Sequence, residues 1–524
     1  MITKQLILFL LLSIVEIYPQ LIPDSFDLYK NDNHFNKISD ANPVSNSIGE
    51  IITIEDTIWI GTSRGVSVSF DRGESWTNFY KTPPFGEDGI SAIGYYNGTF
   101  WAATSIDVEI TGGANVPKGT GLKYTTNNGQ TWNSIPQPLD NLSDTIVVYG
   151  INQLAALPIT VAEQSPTYDF AFTPGAVWIT SWASGLRRST DMGQTWQRMV
   201  LPSDSLNSIQ PTDTLDFCYS PASGNFCSSR WLNHVSFSVI ASNDSTVYVG
   251  TANGINKTTN AGTVYPGWVK FNHLNETESI SGNFVNGMAY NFTTNTIWAS
   301  TWKAEGETEF YAISSSTDGG QSWKNFLEDE RPLNFAFKNE DVIVASSNGA
   351  FRSSNQGTTW ILPNNIFDKN SGVTLNTTDF FSAAAVEGDG YWDIWLGSGD
   401  GLARLRETGF WQGDWKIFLA SQSLTSERST YCYPNPYSPK LDQLKIKYST
   451  GGKDASVTIR VFDFGMNYIR TILQNAPRNK TISSPPDYWD GRDDNGKLLP
   501  NGVYLYRVDV NDEDPLFGKI IYLQ

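Results

Sequence analysis

Histidine and cysteine are scarce in this chain, whose 524 residues hold three of each. So few of them, with no Cys/His cluster, give no reason to expect a zinc site. His34, His234 and His273 assemble into no Ser/His/Asp set. Basic residues are short too. There are 36 Lys and Arg against 54 Asp and Glu, a net charge of −18, which argues against nucleic acid or an anionic membrane surface as partner. Long apolar runs are missing beyond the N-terminus. The run from Leu6 to Val15, broken only by Ser13 and preceded by Lys4, is too short to span a bilayer and has the layout of a secretory signal. Residues 1–20 are therefore read as a signal peptide, and the mature protein as exported, secreted or displayed at the cell surface, with no transmembrane segment. In an oxidising compartment Cys218 and Cys227, bracketing a short polar loop, are candidates for a disulfide. Cys432 is left over and reads as a small buried hydrophobe.

Aromatic residues, by contrast, are plentiful at 13%, with 18 Trp. Many fall in a repeat. Seven times an apolar strand ending in a small residue runs into a glycine turn, mostly followed by a Ser/Thr-x-Asp/Asn-x-Gly-x-Ser/Thr-Trp box. The clearest boxes carry Asp71 and Trp76, Asp191 and Trp196, and Asp318 and Trp323; asparagine replaces the acid in Asn127 with Trp132 and in Asn355 with Trp360. A degenerate copy runs from Thr258 to Trp268, and the seventh unit keeps only the strand Ile394 to Ser398 and Trp415. Each box reads as a hairpin turn whose Asp or Asn accepts backbone N–H groups while its Gly takes the positive-φ position. One such antiparallel unit cannot bury both of its faces. Radial stacking of neighbours solves this, so internal repetition predicts an all-β, seven-bladed β-propeller.

These residues resemble the Asp-box (BNR) repeat over roughly residues 35–420. Propellers of that kind include sialidases, xyloglucanases, sortilin-type receptors and the photosystem II assembly factors. In all of them the box is a folding element, so the resemblance implies a structural role for the ten box residues named above.

After Phe418 the pattern stops. A polar linker, 421–430, leads to Tyr433-Pro434-Asn435-Pro436, whose prolines rule out a central strand. Val457 to Val461 alternates as a strand; Trp489 to Gly496 is a turn-rich loop; Gly502 to Val508 is a strand. This succession resembles the FlgD-like Ig domain, a small Ig-like β-sandwich that terminates many cargo proteins of the type IX secretion system, over residues 431–524. The resemblance implies a sorting domain that engages that machinery. Asp490, Asp493, Asp494 and Asn495 offer hard oxygen ligands, so calcium is conceivable. A tight turn wants the same residues, and no cofactor is expected.

Blade topology separates two faces. Loops between second and third strands share a face with the blade-to-blade links, and the boxes lie opposite. The longest insertions, Ser105 to Gly121, Trp182 to Ser184, Trp302 to Phe310 and Leu201 to Trp231, fall on the first face, where function concentrates. Trp182, Trp302, Tyr219 and Trp231 are the candidate ligand-binding aromatics there. A glycosidase would need two carboxyls about 5–5.5 Å or about 6.5–9.5 Å apart; Asp107, Glu109, Glu305, Glu307 and Asp400 are the candidates. The leading expectation is a binding propeller with a polysaccharide, glycoprotein or envelope-protein partner. A glycoside hydrolase and a non-catalytic assembly scaffold are the alternatives.

Overall fold

The computed structural model describes residues 42–420 and 430–524, apart from 111, 223–226, 228–229, 372, 376, 441–442 and 479–485. The expected signal peptide and nearly all of the 421–430 linker lie outside the described residues. The chain divides into two compact units, one spanning Asn36–Gln422 and the other containing Ser423–Gln524. Among the described residues the only helical element is one 3-10 turn, Leu232–His234.

Among the described residues of the larger unit, seven antiparallel sheets of three to five strands follow one another beside two short hairpins. Their strands pair in sequence order except Ser208–Ile209, which adds to the edge of the fourth sheet by pairing with Trp268–Phe271. Their first strands are Ile48–Ile54, Gly89–Tyr96, Asp169–Thr173, Ser236–Ala241, Phe284–Asn291, Pro332–Lys338 and Phe380–Glu387. Each packs beside the first strands of the sheets before and after it, and the seventh packs beside the first, so the sheets close a ring. The second strands are short apolar runs such as Ile58-Trp59-Ile60 and Ile394-Trp395-Leu396, buried along their whole length. Such runs suit strands covered on both faces.

The boxes add sheet-to-sheet contacts of their own. Ser75 donates from N (2.8 Å) and Oγ (2.6 Å) to the Asp71 carboxylate, and Gly73 N–H donates to Ser69 Oγ. Thr195 treats Asp191 in the same way, and Ser322 treats Asp318. Where Asn stands instead, the hydroxyl reverses role. Asn127 and Asn355 still accept from the backbone N–H of Thr131 and Thr359 but donate Nδ2–H to their hydroxyls. The residue before the glycine also adopts positive φ in Arg72, Asn128, Met192 and Gln356, which the sequence pattern did not show. The box tryptophan reaches past its own turn to the preceding sheet. Trp132 meets Trp59 edge-on at 6.2 Å between ring centroids, Trp360 meets Trp298 at 6.2 Å, Trp76 meets Trp395 at 6.3 Å, and Trp268 meets Trp178 at 6.5 Å. Edge-to-face pairs of this kind are favoured by the ring quadrupole. A cation on the third strand of one sheet then donates to the next turn's carbonyls: Arg188 to Ala261 O and Thr263 O, Lys257 to Gly319 O, Arg404 to Arg72 O. The seventh sheet lacks a box, and there Arg352 binds the buried Glu407 carboxylate instead.

One insertion differs from the sequence reading. Ser105 to Gly121 is not a loop but a continuation of the second sheet, because Thr99–Glu109 and Asn115–Thr125 stay paired to the end. Gly112 and Gly113, both at positive φ, make the turn at its tip, and Val116 gives the ribbon a buried side chain.

The smaller unit holds two sheets, one of Thr430–Tyr433, Leu444–Tyr448 and Asp487–Trp489, the other of Tyr468–Arg478, Ala455–Asp463, Gly502–Val510 and Leu516–Tyr522. They share a core that includes Tyr437, Ile446, Ile459, Trp489, Tyr506 and Tyr522. Cys432 is buried in it, and burial pushes its thiol up to about 12.

Candidate functional site

First strands begin, and second strands end, on one face of the ring. At six of the seven starts the register slips by one residue, at Gly49, Ser91, Phe237, Asn286, Leu333 and Phe381. A bulge re-aims a side chain. All six of these residues line a cavity of about 210 Å³ on the ring axis. Tyr168 and Asp169 complete the lining from the third sheet.

Around this mouth a row of aromatic rings crosses the third, fourth and fifth sheets. Tyr168 (6.2 Å) and Trp182 (5.6 Å) pack on Phe237; Phe237 packs on Phe284 (4.3 Å); Phe284 stacks on Trp302 (6.2 Å); Trp302 meets Tyr311 (5.9 Å). The Arg331 guanidinium lies 4.7 Å over the Tyr311 ring. Tyr168, Trp182, Phe284, Trp302 and Tyr311 are half-buried, so each keeps part of a ring at the surface. Trp302 is fixed by an Nε1–H bond to Pro332 O of the next sheet, 3.0 Å.

Two of the four candidate aromatics therefore belong to the row, and two do not. Tyr219 is 1% exposed and stacks on the buried His234 at 4.7 Å. It packs in a core that the long links 136–168 and 199–235 form with the third and fourth sheets, where strands Ile146–Tyr149 and Asn152–Ala155 make a hairpin. A polar loop was the wrong setting to expect for it, because the loop folds back and pairs Tyr219 with Ala156. Burial holds the Tyr219 hydroxyl up at about 12 and the His234 imidazole down at about 3. Trp231 is half-buried and donates Nε1–H to Cys218 O, 2.9 Å, so it braces the loop joined by the Cys218–Cys227 disulfide. Phe237, Phe284 and Tyr311 escaped the sequence reading because lone aromatics at strand starts carry no box.

The candidate acids are spread out. Asp107 and Glu109 are exposed on the ribbon of the second sheet, Glu305 and Glu307 are exposed on a loop of the fifth, and Asp400 lies in a turn of the seventh. None of these three sheets neighbours another in the ring. The loop Trp302 to Phe310 does contain a buried acid, Glu309, but it is spent on the fold. Its carboxylate accepts N–H from Asn283, Ala304 and Gly306 and Nδ2–H from Asn283. Near Asp400, burial and then the Asp400 charge raise Asp379 above the usual carboxylate range.

Two acids that sequence reasoning missed sit in the cavity itself. Glu50 Oε2 accepts the N–H of Ile93 in the second sheet, 2.7 Å, and Asp169 Oδ2 accepts the N–H of Val239 in the fourth, 2.8 Å. Both side chains are half-buried and line the cavity. Burial, and then the charge of Asp169, raises Glu50 to about 8, and burial raises Asp169 to about 7. The available signal was positional, since each acid stands among apolar residues at the start of a first strand.

In the smaller unit the side-chain oxygens of a chemistry suited to calcium have protein donors. Asp490 accepts from Arg470 (2.9 Å) and from the N–H of Arg492, Asp493 from the N–H groups of Asn495 and Lys497, and Asp494 from Tyr468. Among the described residues no group of three or more His, Cys, Asp or Glu could hold a metal ion. No helix among them is long and apolar enough to cross a membrane.

The closed ring of radial sheets defines the larger unit as a β-propeller within an all-β protein. No protein family model matches the chain, and no curated protein does. Solved structures do. YCF48 bound to D1 peptide is 15% identical, with 70% of this chain and 94% of that one covered and a TM-score of 0.41. PorZ, a surface component of the type-IX secretion system of Porphyromonas gingivalis, is 14% identical, with 91% and 66% covered and a TM-score of 0.29. The GH74 xyloglucanase from Xanthomonas campestris is 13% identical, with 79% and 63% covered and a TM-score of 0.28. At such identities these likenesses concern the propeller fold alone.

Proposed function

We propose that this chain is an exported Asp-box propeller that binds a polysaccharide, a glycoprotein or another envelope protein on the face bearing the aromatic row. The row from Trp182 to Tyr311 carries the reading. Several half-exposed ring planes in sequence offer apolar, orientable area at little entropic cost, as aromatic recognition surfaces do. The rigid ring beneath holds them in place. The smaller unit is read as the FlgD-like Ig domain that hands the protein to type IX secretion machinery, on the strength of its Trp489 to Gly496 turn and the Gly502–Val510 strand. Surface display of a chain ending at residue 422 would count against that sorting role.

The hydrolase alternative has less behind it, because its candidate carboxyls fall on three sheets that are not neighbours, and those that share a sheet, Asp107 with Glu109 and Glu305 with Glu307, are exposed. The test is a glycan array with a polysaccharide-hydrolysis panel. Trp302→Ala is expected to weaken glycan binding about tenfold, the loss of roughly one aromatic contact. Hydrolysis abolished by Asp107→Asn or Glu305→Gln would replace binding with catalysis. Binding to no glycan would leave the protein-partner or scaffold readings.

A further inference from the structure

The axial cavity ties the ring together from inside. Its acids bond the first sheet to the second and the third to the fourth, through Ile93 and Val239. Elsewhere neutral groups do the same work. Ser238 donates to Val285 O, Asn334 accepts from Ala383 N–H, and Ser382 donates to Ile48 O. Only the two acids change charge.

Side chains facing them from the other sheets include Ser91, Phe237, Asn286, Asn334 and Phe381, all uncharged. Tyr168 is the remaining titratable group of the lining, and burial raises its hydroxyl further from neutrality. No Lys, Arg or His lines the cavity among the described residues. Two carboxyls thus share a space of about 210 Å³ without a counter-ion.

We propose that Glu50 and Asp169 form a proton-holding pair on the ring axis, and that losing its protons loosens closure between the first four sheets. Protons exchange with water through the cavity. Both protonation states can accept the backbone N–H, so the bonds to Ile93 and Val239 are not the switch. The switch is the appearance of two half-buried, mutually repelling negative charges in one cavity, on the first and third sheets. Burial and then the Asp169 charge raise Glu50 to about 8, and burial raises Asp169 to about 7. Both are raised above the unfolded carboxyl range. Their contribution to stability is therefore complete below about pH 4 and is lost as pH rises through 7 and 8. Tyr168 and Phe237 belong to both the cavity and the aromatic row.

Thermal unfolding of the full chain, followed from about pH 6 to about pH 9 at constant ionic strength, tests this. The midpoint of the wild type should fall by a few degrees across that range, and Glu50→Gln with Asp169→Asn should remove most of the fall. An unchanged fall in the double variant, or none in the wild type, overturns the proposal. If the variants do not fold, infrared spectra of the wild type decide. The carbonyl stretch of a protonated carboxylic acid should be present near pH 6 and lost by about pH 9, and its absence near pH 6 overturns the proposal.

Discussion

The acids of the box turns and the acids of the axial cavity are held in opposite states. Asp191 lies in an exposed turn, where hydrogen bonds from the Thr195 hydroxyl and backbone and then from Ser189 hold its carboxyl down at about 2. At Asp318 burial works the other way, yet donors from Ser322 and Ser316 still bring it to about 2. Glu50 and Asp169 also accept backbone N–H groups, but enclosure dominates and lifts them to about 8 and about 7. Both regions join one sheet to the next. The number of donors against the degree of enclosure decides whether a joint stays charged. Aspartate boxes stay charged, asparagine boxes are neutral, and the cavity makes titratable joints.

The largest expected effect tests the joint that replaces a box. The Arg352 side chain is 1% exposed and is bound to Glu407, itself 1% exposed, and to Asp341 at 2.6 Å. Burial opposes ionisation of Glu407, but Arg352 and then Lys338 hold its carboxyl below the usual range. Arg352→Ala should cost about 3–5 kcal/mol in denaturant unfolding, because it leaves enclosed charge without its main partner. A loss below about 1 kcal/mol would show that the boxless sheet does not depend on this pair.

Next comes the box glycine. At Gly73, φ is +83° and a Cβ would lie 2.7 Å from Trp395 and 2.9 Å from Phe418 of the seventh sheet. At Gly98, φ is +80° but nothing lies within 4 Å. Gly98→Ala isolates backbone strain, about 1 kcal/mol, while Gly73→Ala adds overpacking of about 1–3 kcal/mol. Equal losses would mean the box does not set the spacing between sheets.

The smallest effect concerns the acid itself. Asp191→Asn should barely move the unfolding midpoint at neutral pH, since Asn127 and Asn355 hold equivalent turns. It should differ from the wild type on the acid side. The Asp191 carboxyl is lowered from an unfolded value of 3.8 to about 2. The stability it contributes is present above about pH 4 and lost as pH falls towards 2. The cavity acids lose theirs in the opposite direction, so one melting curve against pH separates the two regions.

Much of the propeller was legible because its parts repeat. The boxes and the buried runs around Trp59, Trp178, Trp298 and Trp395 use one solution many times, and repetition shows in a single sequence. The candidate site was half legible. Trp182 and Trp302 stood out as tryptophans in loops, but Tyr219 looked alike and lies in the core, because its exposure depends on how two long links pack. The ribbon after Ser105 has the sequence of a loop, because its turn residues hide pairing that continues beyond the ring. Glu50 and Asp169 could not be recognised as a pair, since 118 positions separate them in the sequence.

The sequence by itself determined the strand-and-turn unit, its repetition and the chemistry of each box, because hydrogen bonds within one turn need only neighbours in the chain. Ring closure decided the rest. It brought the first strands to a common axis, placed two acids in one cavity lined, among the described residues, by no Lys, Arg or His, and lined up rings from three sheets into one row. Those arrangements depend on residues far apart in the chain meeting at one place, where desolvation and contact act on them together.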